Sequence, residues 1–421
     1  MKKGVILLLL FVVMGCSDQD PEESSSLIGA WSGTIEIPEQ PLMIKVEFTN
    51  DDELTGTISI PAQSVQDYPL SIVNVEEEEV MFTLEIQGQS ITFDGEIEGE
   101  STIAGTFMQS GQSFPFELTK EDDEVTEAEE DGTFLEVETD LGPLYGQLET
   151  PTSEGEFPIM IIIPGSGPTD RNGNSPGVQN DSLKLLAEQL AKEGVASVRY
   201  DKRGAGENEQ AVISEEEMTF DQFIEDAVAW VNMLKEDEHF TEVGIIGHSQ
   251  GSLVGMLAAQ ESNVDTFVSL AGAGHPIDEV MYDQLSEQLP DDLLNESEEI
   301  LQQLKEGNQV ENVNQELQGA FRPSVQPFLS SWMKYDPAEE MEKLAIPTLI
   351  INGGRDIQVP VSEAESLYGT NVDGELVIIE NMNHVLKEVP ENREENLQSY
   401  VDPDLPLAEG LMAELVEFLK K

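Results

Sequence analysis

One cysteine, four histidines and 20 basic residues against 85 acidic ones are what this 421-residue chain has little of. Each scarcity excludes something. The lone Cys16 has no internal partner, so no disulfide framework staples the fold. A formal charge of -65 makes the surface strongly negative. Such a field repels phosphate backbones and anionic headgroups, so neither nucleic-acid binding nor electrostatic docking on a membrane is expected. Self-repulsion of this size is relieved by screening or strong solvation, which suits a salty or alkaline working environment and neutral or cationic substrates. Apolar runs are short too. Val5–Met14 spans ten residues, about half of the roughly 20 that a membrane-crossing helix needs.

What is present at the N-terminus is a basic front, Met1-Lys2-Lys3, that apolar run, and then Gly15 and Cys16, the layout of a secretory signal. Val13-Met14-Gly15-Cys16 resembles the lipobox of bacterial lipoproteins. The resemblance implies loss of residues 1–15, acylation of Cys16, and an exported protein anchored on the extracytoplasmic side of a bacterial cell. Acyl chains would supply the hold that the charge opposes. Residues 16–26 are acidic and aperiodic, the composition of a flexible tether.

Two grammars follow. Over 27–120 apolar residues alternate at period two between short polar turns, as in Val80, Phe82, Leu84 and Ile86, and seven or eight strands of this kind specify a small all-β, barrel-like domain. It has no histidine, and the acids Glu76–Glu79 read as a solvated turn, so no metal and no cofactor is expected. Residues 121–132 form an acidic linker. From 133 to 421 strands and helices take turns, which specifies an α/β fold: a doubly wound, mostly parallel sheet covered on both faces. The alternation pauses over about 274–344 for acidic helical material, expected to be a cap over the carboxyl edge of the sheet, where ligands bind in open α/β sheets.

The chemistry is expected at that edge. Gly247-x-Ser249-x-Gly251 lies between a predicted strand and a predicted helix, the context of a nucleophile elbow. Its tight turn lifts Ser249 Oγ above the sheet and aims the Gln250 N–H at an incipient oxyanion. Serine needs a base. Of the four histidines, His384 alone follows the last predicted strand, with His239 and His275 elsewhere and His248 inside the elbow, its side chain expected to turn away from Oγ. Asp356, on the loop after the preceding strand, is the candidate to orient it. A second oxyanion donor is expected from Pro164-Gly165-Ser166-Gly167, with Ser166 preferred over Gly167. Asp170 and Arg171 would pair with each other or line the pocket, Arg203 would belong to a structural turn or reach the pocket mouth, and Phe321–Pro323 with Gln326–Trp332 would shape the acyl or alcohol site.

With Pro164-Gly165-Ser166-Gly167-Pro168-x-Asp170-Arg171 and Tyr200-Asp201-Lys202-Arg203-Gly204-x-Gly206, residues 133–421 resemble the α/β-hydrolase superfamily, in particular bacterial esterase-like members that carry a β-rich N-terminal domain. One departure is Pro164, where many esterases have histidine. The order Ser249, Asp356, His384 is the order of that fold. The resemblance implies a serine hydrolase acting on a small, neutral ester through an acyl-enzyme, with membrane contact only through the lipid anchor. An aminopeptidase-like peptidase is the alternative, and a non-catalytic binding lipoprotein is the alternative of another class.

Overall fold

The computed structural model describes residues 27–120 and 133–421, apart from short stretches at 36–41, 51–53, 61–64, 77–78, 87–88, 100, 110–111, 153–154, 176–177, 213 and 287–288. The expected signal, Cys16, the tether and the acidic linker lie outside the described residues. The chain divides into two compact units, 1–129 and 130–421. No helix among the described residues is long and apolar enough to cross a membrane.

The first unit is one antiparallel sheet of nine strands: β1 (Gly29–Ile35), β2 (Leu42–Asn50), β3 (Leu54–Ile60), β4 (Val65–Pro69), β5 (Ile72–Glu76), β6 (Glu79–Ile86), β7 (Gln89–Glu98), β8 (Thr102–Gln109) and β9 (Gln112–Lys120). Their order is β4-β3-β2-β1-β9-β8-β7-β6-β5, so the first and last strands pair with each other at its middle. Alternation puts Trp31, Val46, Phe48, Phe82, Phe93 and Phe116 on one buried face. Phe82 stacks on Phe93 at 4.6 Å, and Phe116 meets Phe93 edge-on at 5.2 Å. The indole N–H of Trp31 donates to the Leu27 carbonyl at 2.8 Å, so the buried ring loses no hydrogen bond. The two strands beyond the seven traced by alternation, β4 and β5, are the sheet's edges. An edge strand has one neighbour and packs less, and its period-two signal is correspondingly faint.

The second unit holds a sheet of eight strands: β10 (Thr133–Thr139), β11 (Gly142–Glu149), β12 (Phe157–Ile163), β13 (Ala196–Tyr200), β14 (Phe240–His248), β15 (Thr266–Leu270), β16 (Thr348–Gly353) and β17 (Glu375–Ile379), in the order β10-β11-β13-β12-β14-β15-β16-β17. β10 and β11 form an antiparallel hairpin whose second strand joins β13 antiparallel. Every pairing from β13 through β17 is parallel. The central strands are apolar on both faces because helices cover both. On one face α1 (Ser182–Lys192) and the C-terminal helix Leu411–Leu419 bury Leu183, Leu186, Leu190, Leu411 and Leu415. On the other, α2 (Phe220–Lys235) and α3 (Gln250–Ser262) bury Phe220, Trp230, Met256 and Ala258.

The chain order reverses around β12, which lies between β13 and β14. Loops leaving the carboxyl ends of β12 and β14 diverge there and open a crevice, the usual place for a ligand in such sheets.

The interruption between β15 and β16 contains helices Ile277–Ser286, Asp291–Lys305, Gln326–Trp332 and Pro337–Glu342. Leu293, Ile300, Leu304, Phe321 and Leu329 give this segment a small core of its own. That corrects the expectation that Phe321 and Gln326–Trp332 shape a substrate site. Phe321 is fully buried within this core, Trp332 stacks flat on Phe220 at 5.4 Å, and the Arg322 guanidinium is bound by Glu215. Large apolar side chains at helical spacing were taken up by packing the segment and fastening it to α2.

Candidate active site

β14 ends at His248 and α3 begins at Gln250, so the turn from strand to helix is made at Ser249 alone. Its φ of 54° and ψ of -119° fall outside the ordinary wells of a non-glycine residue, a strain of about 1–3 kcal/mol. The surrounding bonds hold it there. Ser249 N–H donates to the Leu270 carbonyl at 2.9 Å, and Ser252 N–H donates to the Ser249 carbonyl at 3.0 Å. Glycine is obligatory on either side. A Cβ on Gly247 would sit 2.2 Å from the Gly251 carbonyl oxygen, and one on Gly251 would sit 2.3 Å from that of Ile163.

His384 and Asp356 stand on the loops after β17 and β16. His384 Nδ1 lies 2.8 Å from Asp356 Oδ2, with both side chains almost wholly buried. A carboxylate only accepts, so Nδ1 is the donor to Asp356, and Nε2 is the ring nitrogen left for other partners. Asp356 is itself held, because its Oδ1 accepts the N–H groups of Gln358 and Val359, both at 2.8 Å. The two loops touch so closely that a Cβ on Gly353 would lie 2.0 Å from the Met382 carbonyl oxygen. The Ser249 hydroxyl has no hydrogen-bond partner among the described residues, so the structure bonds two of the three side chains directly and sets the third on the adjoining elbow.

Two residues that carried no signal in the sequence tie these parts together. His248, next to Ser249, turns its ring to the loop of His384. Its Nε2–H donates to the His384 carbonyl at 2.8 Å, and the two rings lie 5.0 Å apart. Burial, reinforced by His384, holds the His248 pKa down at about 4, so the ring is neutral. Asn396, buried on a short helix near the C-terminus, bridges the two loops. Its Oδ1 accepts from Asn383 Nδ2 at 3.0 Å, and its Nδ2 donates to the Arg355 carbonyl at 2.8 Å. Asn383 precedes His384 and Arg355 precedes Asp356. His248 acts across 136 positions of chain and Asn396 across 13 and 41, distances over which no local pattern speaks.

The loop after β12 packs against the elbow, where a Cβ on Gly165 would meet Ser249 Cβ at 3.3 Å. Ser166 is exposed at its tip and Gln250 is buried at the head of α3. Neither backbone N–H has a partner among the described residues. Beneath them lies Lys202, also missed as a functional residue. It is 6% exposed, and its Nζ donates to the Gly165 carbonyl at 3.0 Å and to Gln250 Oε1 at 2.7 Å, with the Phe223 ring 4.4 Å away.

The other arginines singled out in the sequence have buried acidic partners. Arg171 pairs with Asp201, Nη1 to Oδ2 at 2.6 Å, and neighbouring Asp170 accepts the N–H groups of Asn172 and Asn174 on Oδ1 at 2.8 Å. Arg203 is buried against Asp226, with Nε 3.1 Å from Oδ2, and so belongs to the framework and not to a pocket mouth. Between the first two cap helices, a cavity of about 420 Å³ is lined by Asp278, Glu279, Asp283, Glu298 and Lys305. It includes none of the residues around Ser249.

Residues 180–388 match the family model described as serine aminopeptidase, S33 (Hydrolase_4). Esterase EstD of Thermotoga maritima is 28% identical over 329 residues, 75% of this chain and 74% of that protein. Among solved structures, Est1E from Butyrivibrio proteoclasticus is 19% identical and aligns with 69% of this chain and 100% of its own, at a TM-score of 0.45. The Pyrococcus furiosus esterase Pf2001 is also 19% identical, over 69% of this chain and 90% of its own, at a TM-score of 0.46. The fold is that of the α/β-hydrolases, and the chain is a hydrolase.

Proposed function

We propose that this protein hydrolyses carboxylic esters of small, neutral molecules, with Ser249 as nucleophile, His384 as general base and Asp356 as the residue that orients it. The observation that carries the reading is the 2.8 Å bond from His384 Nδ1–H to Asp356, which leaves Nε2 as the nitrogen to act as base, on a loop fastened to the elbow through His248. In the first half-reaction Nε2 takes the hydroxyl proton as Oγ attacks the ester carbonyl. The N–H groups of Ser166 and Gln250 receive the oxyanion, and the alcohol leaves with the proton from Nε2. Water then attacks the acyl-serine by the same route in reverse. The likeness to an esterase over three quarters of the chain supports the ester as substrate.

The family model's description favours a second reading, a serine aminopeptidase. One preparation assayed on short-chain aryl esters and on amino-acyl anilides separates the two. Turnover of the esters and not the anilides is expected, with fluorophosphonate labelling at Ser249 and loss of both labelling and turnover in Ser249→Ala. Faster turnover of the anilides would favour the peptidase, and unchanged ester turnover in Ser249→Ala would move the chemistry elsewhere. We also propose that the enzyme works outside the cytoplasm, held to a membrane through acylated Cys16. Metabolic labelling with a fatty acid that is lost in Cys16→Ala is the expected result.

A further inference from the structure

We propose that Lys202 is a positioning residue of the reaction: its ammonium clamps the two halves of the oxyanion pocket, the Gly165–Ser166 peptide and the head of α3, in the geometry that receives the transition state. The inference rests on the reading of Ser249 as nucleophile and goes beyond it.

Three features of the structure lead there. The first is direction. The Gly165–Ser166 peptide is trans, so the Ser166 N–H points opposite to the Gly165 carbonyl. Lys202 grips that carbonyl from below at 3.0 Å, which turns the free N–H to the other side of a loop already packed on Ser249. The second is connection. The same ammonium binds Gln250 Oε1 at 2.7 Å, so one side chain links the peptide that offers one donor to the residue that offers the other. The Gln250 amide is oriented by this bond, since an ammonium can meet only its oxygen. In its protonated form Lys202 also polarises the peptide and strengthens its N–H as a donor.

The third feature is cost. Lys202 is buried without a carboxylate partner among the described residues, and burial alone lowers its pKa to about 7. A methionine would fill the same space without that penalty. Stability therefore gives no reason to keep the charge, whereas an oxyanion pocket does.

The test uses Lys202→Met in the full chain, assayed on a short-chain p-nitrophenyl ester. The expected result is a kcat 10- to 100-fold below wild type with KM within about twofold, and a matching loss of affinity for an arylboronic acid, whose tetrahedral serine adduct occupies the oxyanion pocket. Thermal melting is expected at or above the wild-type temperature, which a residue needed only for structure would not allow. Gln250→Met removes one of the two anchors, leaves the ammonium in place, and is expected to lose several-fold in kcat and in boronate affinity; it decides the matter if Lys202→Met does not fold. Wild-type kcat and boronate affinity in both variants would overturn the role of Lys202 while fluorophosphonate labelling of Ser249 still stood. Absence of that labelling in wild type would overturn the reading of Ser249, and this inference with it.

Discussion

The two units bury different things. In the first, Thr83 is the one buried polar residue among the described residues, and the remainder of its core is apolar and aromatic. The second buries Arg199, Asp201, Lys202, Asp226, Asn383 and Asn396, among others. A buried polar group lowers stability unless it is hydrogen-bonded, so a core selected for cohesion alone has little use for one. The first unit is such a core. The second accepts the penalty, and the density of polar burial around β12, β14 and the last two loops coincides with the site proposed for the reaction.

That contrast can be broken most sharply at Phe93, which stacks on Phe82 and meets Phe107 and Phe116. Phe93→Ala is expected to lower the stability of the first unit by about 3–5 kcal/mol while leaving kcat on an aryl ester within twofold, because no catalytic group lies there. Calorimetry beside steady-state kinetics checks it, and a parallel collapse of kcat would show that the first unit contributes to the chemistry after all.

A somewhat smaller effect is expected in the second unit on acidification. His248 is held at a pKa of about 4 against 6.5 for a free histidine, so below pH 6.5 the unfolded chain takes up the proton first. Its contribution to stability is complete above pH 6.5 and is lost as the pH falls toward 4, by about 3 kcal/mol in all. Urea titrations over this range should show that His248→Gln, which keeps a donor and does not titrate, loses correspondingly less than wild type. Identical pH slopes would mean that the imidazole is not buried as a neutral ring.

The smallest effect sharpens the comparison inside the site. Asn396→Ala removes the bridge between the loops of His384 and Asp356, and kcat is expected to fall about 10- to 100-fold with KM little changed, as for other residues that orient catalytic groups. Asn396→Asp, which keeps the acceptor for Asn383, should fall between the two. Wild-type kcat in Asn396→Ala would show that the loops hold their geometry without it.

Much of the architecture was legible because it is written in short-range periodicity. Alternation marked the first sheet's inner strands, continuous apolar runs marked β12 and β16, and the elbow declared itself by glycines at fixed offsets. The loops bearing Asp356 and His384 were found because a strand tells where its own carboxyl end lies. Lys202, His248 and Asn396 were invisible in that role since each works through a partner that only tertiary approach supplies. The aromatic residues around Phe321 and Trp332 misled for a related reason: sequence shows that a side chain wants burial, not which surface will cover it.

The position of β17 carries a further consequence. Ser249 leaves a strand in the middle of the sheet, whereas His384 follows a strand at its margin, paired on one side only and partly open to solvent. Margins fray before centres do. On the proposed mechanism, a molecule that releases this last ribbon would keep most of its optical signature of folding yet lose its base. Loss of turnover under heat or denaturant is therefore expected to run ahead of any visible melting.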